Sequence, residues 1–550
     1  MYVLIATISF IWLIRTVKHV LFWIYLWQLK DYHVGRFMDH FRTEKGKKIF
    51  FNYSFVLKLL FLLLILINYY YLHSANYWTF VLFFYALCIV YIVESIIFLT
   101  KKYKQPVWTS KAIFLTLISL YIILILLLNP YNLKNSISFT LNILIADVLM
   151  PLIISCIVLF FQPLFVIIRN SILKKAKKKM ETFKNLTVIG ITGSYGKTST
   201  KEFLTTILSS KFKVLSTEDH QNSEIGIARC ILNKLDDSHQ IFVVEMGAYN
   251  KGGIKLLCDM VRPKMGIVTG VNVQHLSTFG SMENLLSAEG GGELLKNLPL
   301  NGTLIVNGDN KYCLDLYKQA KINKKIYSIK NDKVQSDIWT EEVTVHKDSL
   351  DFVVINIDKK VHHFNVKVLG GQNIQNLLGA ILTATELGMS FEEIGRAFQK
   401  IKPEHAGITL KEGVYGINII DSSYSSNPDG VMADLDYLNI WSNNQLALPG
   451  PKKVIIMPCL IELGNKSREV HRDLGKRIAE ICDMAIITTK DKFKEIKTEA
   501  VSNGMSKDRI NFEENPKKIF NIVTTFCKDG DVILLEGRVP GELTKLLIKS

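Results

Sequence analysis

Residues 187–202, Thr-Val-Ile-Gly-Ile-Thr-Gly-Ser-Tyr-Gly-Lys-Thr-Ser-Thr-Lys-Glu, constrain the fold more than any other stretch of the chain. A β-branched run from Thr187 to Ile191 feeds a glycine-rich turn, and a helix pattern begins at Thr198. Strand, turn and helix in that order belong to an α/β domain with a mainly parallel sheet. Glycines let the turn fold tightly enough for its N–H groups to face one point, and the helix N-terminus adds positive potential there. The strict phosphate-loop pattern wants a glycine where this chain has Ile191; the glycines present are Gly190, Gly193 and Gly196. Even so, Gly-Lys-Thr-Ser at a strand-to-helix junction marks a nucleotide site. Gly193, Ser194, Gly196, Lys197, Thr198 and Ser199 are its expected cradle for ATP. Lys197 would reach the β- and γ-phosphates and the Thr198 hydroxyl would hold Mg²⁺.

At 550 residues the chain has room for three or four domains. A mean hydropathy of +0.20 is high for a soluble enzyme and predicts membrane segments. The eight cysteines show no close pairing, which suits neither a zinc site nor a disulfide framework and points to a reducing compartment. A net charge of +16 raises the question of nucleic acid. Much of that excess flanks apolar stretches, so the expected partner is a lipid bilayer and not nucleic acid.

Five apolar stretches, roughly 2–27, 53–72, 77–99, 111–129 and 137–169, are each long enough to cross a hydrocarbon core. Arg15, Lys18 and His19 interrupt the first, which has an interfacial helix as its alternative. The connecting loops alternate in charge. Residues 28–52 carry Lys30, Arg36, Arg42, Lys45, Lys47 and Lys48, and 100–111 carry Lys101, Lys102, Lys104 and Lys111. Residues 73–76 carry no Lys or Arg and 130–136 only Lys134, whereas Lys174, Lys175, Lys177, Lys178 and Lys179 follow the last stretch. The positive-inside rule then predicts a multi-pass cell-membrane protein with its amino terminus outside and its catalytic half cytoplasmic. Glu94 and Asp147 lie within apolar stretches, where carboxylates usually face a protein interior or a polar cavity.

From about residue 185 strands and helices alternate. Residues 240–245, Gln-Ile-Phe-Val-Val-Glu, read as a buried strand ending in a carboxylate. An acid at the carboxyl end of a strand beside a phosphate loop is a natural Mg²⁺ ligand, which nominates Glu245. A second strand, 265–270, leads to Asn272 and His275 in the same crevice.

These stretches, with Asn307-Gly-Asp-Asn310, Gln372-Asn373-Ile-Gln-Asn376, Asp421-Ser-Ser-Tyr-Ser-Ser-Asn427-Pro and Glu462-Leu-Gly-Asn-Lys-Ser-Arg-Glu-Val-His471, occur in the order seen in Mur ligases. The resemblance covers about 185–550 and is strongest to the branch that adds D-alanyl-D-alanine. It implies a central ATP-binding domain at 185–401 and a carboxyl-terminal Rossmann-like domain at 402–550, after a membrane region at 1–175. It also implies an ATP- and Mg²⁺-dependent amide ligase of peptidoglycan precursor synthesis. In such a ligase a substrate carboxylate takes the γ-phosphoryl group to form an acyl phosphate, which the amine of an amino acid or dipeptide then displaces. Residue by residue, the resemblance gives Lys197 and His275 catalytic roles and matches Thr198, Glu245 and His275 to metal-associated positions. Asn272, Asn373 and Asn376 resemble adenine contacts, with helix capping or loop bonding as their structural alternative, and Asp421 resembles a ribose contact.

Four departures from the family pattern stand out. The family's carbamylated lysine is missing from Ser287-Ala-Glu-Gly-Gly-Gly-Glu-Leu-Leu295: ungapped alignment puts Glu289 there, and anchoring on Glu293 puts Gly291 there. A glutamate carries a charge similar to that lysine's on a shorter arm, so Glu289 is a further catalytic candidate. The arginine that usually opens the last domain is absent from Pro403-Glu-His-Ala-Gly-Ile, and the paired acids of the 421 motif have become Asp421-Ser422. Only about fifteen residues separate the basic run from the phosphate loop, which leaves no room for the family's domain that grips a uridine nucleotide. The expectation is therefore a cell-wall precursor presented on a lipid. A ligase for another polymer such as poly-γ-glutamate, or a transporter-associated ATPase without ligase activity, remain the alternatives.

Overall fold

A computed structural model describes residues 2–549 apart from 42, 51, 72–76, 101–103, 128–135, 219–220, 332–333, 424–425 and 444–449. The chain divides into two units, Met1–Asn170 and Ser171–Ser550.

The second unit is built on two sheets. The first has the strand order β2-β3-β1-β4-β5-β6-β7-β8-β9. Its strands are β1 (Thr187–Thr192), β2 (Val214–Ser216), β3 (Ile241–Glu245), β4 (Met265–Val268), β5 (Thr303–Asn307), β6 (Asn323–Ser328), β7 (Ile338–Val345), β8 (Leu350–Asn356) and β9 (Val361–Val366). Pairing is parallel from β2 through to β7, then antiparallel. Successive side chains of a strand point to opposite faces. Accordingly Ile189, Ile191 and Val243 join one apolar core while Val188, Phe242 and Val244 join another. A sheet covered on both faces explains why these strands read as near-continuous apolar runs.

The second sheet runs β10-β11-β15-β12-β13-β14. It comprises β10 (Thr409–Glu412), β11 (Asn418–Ser422), β12 (Lys453–Met457), β13 (Met484–Ile487), β14 (Ile510–Phe512) and β15 (Val532–Glu536). All neighbours are parallel except the β10–β11 pair. Helices separate the parallel strands, as crossover connections require.

The first unit is helical. Trp12, Trp23, Trp27, Tyr91, Leu115 and Leu144 share its core, and Trp27 stacks on Phe37 with ring centroids 3.9 Å apart. Inside that core lies a set of mutually paired charges. The Arg15 guanidinium, 2% exposed, bonds both Glu94 and Asp147. Lys58 Nζ lies 2.6 Å from both oxygens of Glu94 and 3.0 Å from Asp147 Oδ2. Glu94 and Asp147 thus face a protein interior and its cations. Such a set adds little net stability, but removing one partner strands a buried charge. Asp147→Leu is therefore expected to cost about 3–5 kcal/mol, read as a shift in the denaturant midpoint followed by tryptophan fluorescence. A parent-like midpoint would show that the carboxylate is not buried among these cations.

The structure corrects the expectation of five membrane spans. Among the described residues two helices, Ser9–Leu29 and Leu141–Met180, are long and apolar enough to cross a membrane, and this rests on length and composition alone. The apolar helices Tyr53–Ile67, Tyr85–Ile97 and Ser110–Ile125 are shorter than that. The physical reason is that apolarity in this region also builds a helix-on-helix core, which sequence composition does not separate from a membrane span. The low-charge loop 73–76, most of the loop 130–136 with Lys134, and Arg42, Lys101 and Lys102 lie outside the described residues.

Candidate functional site

The candidate site lies at the carboxyl ends of β1, β3 and β4. In register, Ile191 pairs with Glu245 and Thr192 with Val268, so the three strands release their loops side by side. Beyond β1 the chain turns through residues 193–196 into the helix Lys197–Leu208. Gly196 has φ +75°, and a Cβ there would stand 2.4 Å from Asn376 Oδ1. Only glycine fits this point. The loop is held from several sides: Ser194 N–H donates to Gly270 O at 2.7 Å, and the Thr269 hydroxyl donates to Tyr195 O. Lys197 Nζ folds back to donate to Gly193 O.

Two buried carboxylates flank this loop. Glu245, 3% exposed, accepts from Asn222 Nδ2 at 3.0 Å and lies 3.7 Å from the buried Lys201 Nζ. Glu289, 2% exposed, accepts from Ser194 Oγ at 3.2 Å and lies 3.9 Å from Lys197 Nζ. The neighbours of Glu289 have different work. Gly291 has φ +85°, and a Cβ there would meet Val268 Cγ2 at 2.6 Å and Leu316 Cδ2 at 2.9 Å. Position 291 therefore faces apolar packing. Glu293 accepts from the N–H groups of Gly252 and Lys255 at 2.6 and 2.8 Å, which caps the helix Gly253–Val261. Of the two alignments open in the sequence, the one through Glu289 puts an acid at the phosphate loop.

The asparagines form a brace. Asn373, fully buried, donates to Leu369 O at 2.8 Å and Ala406 O at 3.2 Å. Asn376 donates to Asn373 Oδ1 at 2.9 Å, while its own oxygen lies against Gly196 and Thr200 Oγ1. Asn272 Nδ2 reaches across to the second sheet's domain, donating to Asn427 Oδ1 at 3.0 Å and Asp429 Oδ2 at 2.6 Å. Asn310, whose role the sequence left open, caps the helix Lys311–Gln319 and donates to Val271 O at 2.9 Å and the Tyr195 hydroxyl at 3.3 Å. Tyr195, Lys201 and Asn222 were not singled out from sequence; only contact geometry reveals them.

His275 has φ +63° and meets Glu462 at 2.6 Å through Nδ1. Asp421 sits in the second sheet, where its carboxylate accepts from Lys411 Nζ at 2.6 Å and Ser423 N–H at 3.1 Å. Burial pushes that carboxyl up, but Lys411 and the Ser423 donors outweigh it and hold the group below the usual aspartate value. Among the described residues Asp421 is bonded to Lys411 and Ser423 and to no residue of the phosphate loop. Nearby, Asp434 and Glu536 form a fully buried acid pair, and Gln372 Nε2 donates to Asp434 Oδ1 at 3.0 Å. Burial raises both carboxyls, and the neighbouring Asp434 raises Glu536 further.

Among the described residues no three His, Cys, Asp or Glu groups converge as a ready-made metal cage. Mg²⁺ needs none, because it binds through one or two carboxylates, keeps several waters and takes substrate phosphates for the rest. The Thr198 hydroxyl and the Glu245 and Glu289 carboxylates are hard oxygen donors of the type it prefers, so the residues fit that ion.

Residues 191–384 match the Mur ligase middle domain, and residues 408–539 match the domain described as Mur ligase, glutamate ligase domain. The chain belongs to the Mur ligase family, a family of ATP-dependent carbon–nitrogen ligases. Among its relatives is the UDP-N-acetylmuramoyl-tripeptide--D-alanyl-D-alanine ligase of Bacillus subtilis, 26% identical over 367 residues that make up 66% of this chain and 76% of the relative. The protein of the same name from Borreliella burgdorferi is 32% identical over 298 residues, 52% of this chain and 58% of that one. In fold, the chain is similar to MurF of Acinetobacter baumannii (TM-score 0.58, 23% identity, 67% of this chain and 78% of that one). It is equally similar to the MurF ligase of Thermotoga maritima in complex with ADP (TM-score 0.58, 24% identity, 69% and 84%). The Bacillus subtilis and Borreliella burgdorferi ligases are named for a nucleotide-linked substrate, and with the two-helix result above they overturn the multi-pass membrane localisation.

Proposed function

We propose that this chain uses ATP and Mg²⁺ to join the terminal carboxylate of a UDP-N-acetylmuramoyl tripeptide to the amine of D-alanyl-D-alanine, a step of peptidoglycan precursor synthesis. The substrates follow the names of its relatives. The observation that carries the chemistry is the pair of buried carboxylates, Glu245 and Glu289, on either side of a phosphate loop whose lysine lies 3.9 Å from one of them. The lipid-carried acid expected from the sequence rested on the missing uridine-nucleotide domain together with the apolar stretches; the names of the relatives favour the nucleotide-linked precursor instead.

In the first step an oxygen of the tripeptide carboxylate forms a bond to the γ-phosphorus of ATP while the bond to the β-phosphate oxygen breaks and ADP leaves. The loop N–H groups and Lys197 hold the phosphates, with Lys197 trading its contact to Gly193 O for a phosphate oxygen. Thr198, Glu245 and Glu289 are the residues to hold Mg²⁺, and the family resemblance adds His275 to that set. When bound, Mg²⁺ neutralises charge on the transferring phosphoryl group. In the second step the dipeptide nitrogen adds to the acyl carbon, the tetrahedral adduct expels phosphate, and the nitrogen gives up a proton to leave an amide. Both carboxylates are buried, so their charges are screened less than surface charges and act more strongly on their neighbours.

Mass spectrometry of the full chain with ATP, the UDP-linked tripeptide and D-alanyl-D-alanine is expected to show the ligated product, with ADP and phosphate formed in step with it. ATP hydrolysis that proceeds equally without the dipeptide, and gives no ligated product, would overturn the proposal in favour of an ATPase alone.

A further inference from the structure

His275 and Glu462 belong to different sheets' domains: His275 follows β4, and Glu462 lies on the loop after β12. Both are non-glycine residues with left-handed backbone, φ +63° and +66°. That conformation is disfavoured for side chains with a Cβ and is kept where the surroundings over-determine it. Here the two strained residues meet each other, with His275 Nδ1 2.6 Å from Glu462 Oε2. A backbone bond beside it, Ser277 N–H to Glu462 O at 3.1 Å, fixes the same register. The Tyr249 ring stands edge-on to the imidazole at 6.0 Å.

The loop bearing Glu462 is itself prepared. His471 is fully buried; its Nε2 accepts from Leu460 N–H at 3.0 Å and its Nδ1 donates to Ser467 O. Burial pushes this imidazole's pKa down, which suits a neutral ring with one donor and one acceptor. The final histidine of the Glu462–His471 stretch therefore holds the loop, and the first residue of that stretch projects to the other domain.

We propose that Glu462 is a positioning residue, which accepts from His275 Nδ1 and so leaves the Nε2 lone pair available to a metal. Carboxylates commonly orient metal-site histidines in this way. Because the partners sit on different domains, the oriented imidazole exists only while the two domains are apposed. This rests on the reading above that His275 belongs to the Mg²⁺ site.

Mn²⁺ titration followed by the electron-spin resonance of the free ion, on the full chain with a non-hydrolysable ATP analogue, reads the site without turnover. Glu462→Ala is expected to weaken Mn²⁺ binding about 10–100-fold while leaving the affinity for the analogue measured without metal unchanged. Glu462→Gln keeps an accepting oxygen and is expected to recover part of the loss. Should the alanine variant fail to fold, Glu462→Met, similar in volume and without an acceptor, carries the same test. Parent-like Mn²⁺ binding in the alanine or methionine variant, with His275→Ala weakened, would overturn the role of Glu462 and leave the site intact. Parent-like binding in His275→Ala would overturn the placing of His275 in the site, and the inference with it.

Discussion

Lys197→Ala is expected to lower ATP turnover by about 10²–10³-fold, the usual loss when one preorganised transition-state contact is removed. The side chain is half-buried at the start of a helix, and its partners are the Gly193 carbonyl and Glu289. Neither contact holds the core, and alanine favours a helix, so the fold should survive. The measurement is steady-state phosphate release beside a thermal melt. A variant that melts like the parent and turns over at a near-parent rate would remove the phosphate loop from the mechanism. Glu289 would also lose the Lys197 ammonium 3.9 Å away in this variant, so part of the effect can come through that acid.

Glu289→Gln tests the acid itself. Glutamine keeps the size and can still accept from Ser194 Oγ, but it carries no charge. The expected result is a ligation rate lower by about 10²-fold, at the low end for loss of one charge-bearing contact, together with a higher Mg²⁺ requirement. The two should move together if the carboxylate serves the ion. A Mg²⁺ titration that overlays the parent's would leave Glu289 as a buried hydrogen-bond acceptor and nothing more. The contrast with Glu293 is a built-in control, because that neighbouring acid is engaged in capping a helix.

How much of this the sequence discloses depends on how local each constraint is. The phosphate loop is legible because glycine, lysine and hydroxyl residues at fixed spacing between a strand and a helix leave few alternatives. Glu245 is legible for a similar reason: a buried run ending in an acid puts that acid at a strand end. The alignment around 289–293 is not, because it turns on a left-handed backbone at Gly291 that no neighbouring residue announces. Asn373 and Asn376 look the same in sequence whether their amides reach a base or a backbone carbonyl, and in the structure both are bonded within the protein. Glu462 stands in a motif visible in the sequence, yet its partner is 187 positions away. The first 170 residues misled for a simpler reason. Long apolar helices serve a bundle core and a bilayer equally well, and the charges that looked like loop signals say nothing of Arg15 and Lys58 buried on Glu94 and Asp147.

Gly291 has a consequence for how such an enzyme responds to its surroundings. A lysine carbamate forms by reversible addition of carbon dioxide to a neutral amine, so an active site that depends on one fills and empties with the supply of inorganic carbon. Between Lys264 and Lys296 this chain has no lysine to modify. At 291 a side chain would run into Val268 and Leu316. The acid beside its phosphate loop is encoded in the polypeptide and present from the moment the chain folds. Its ligation rate should therefore be indifferent to bicarbonate, including in medium stripped of it.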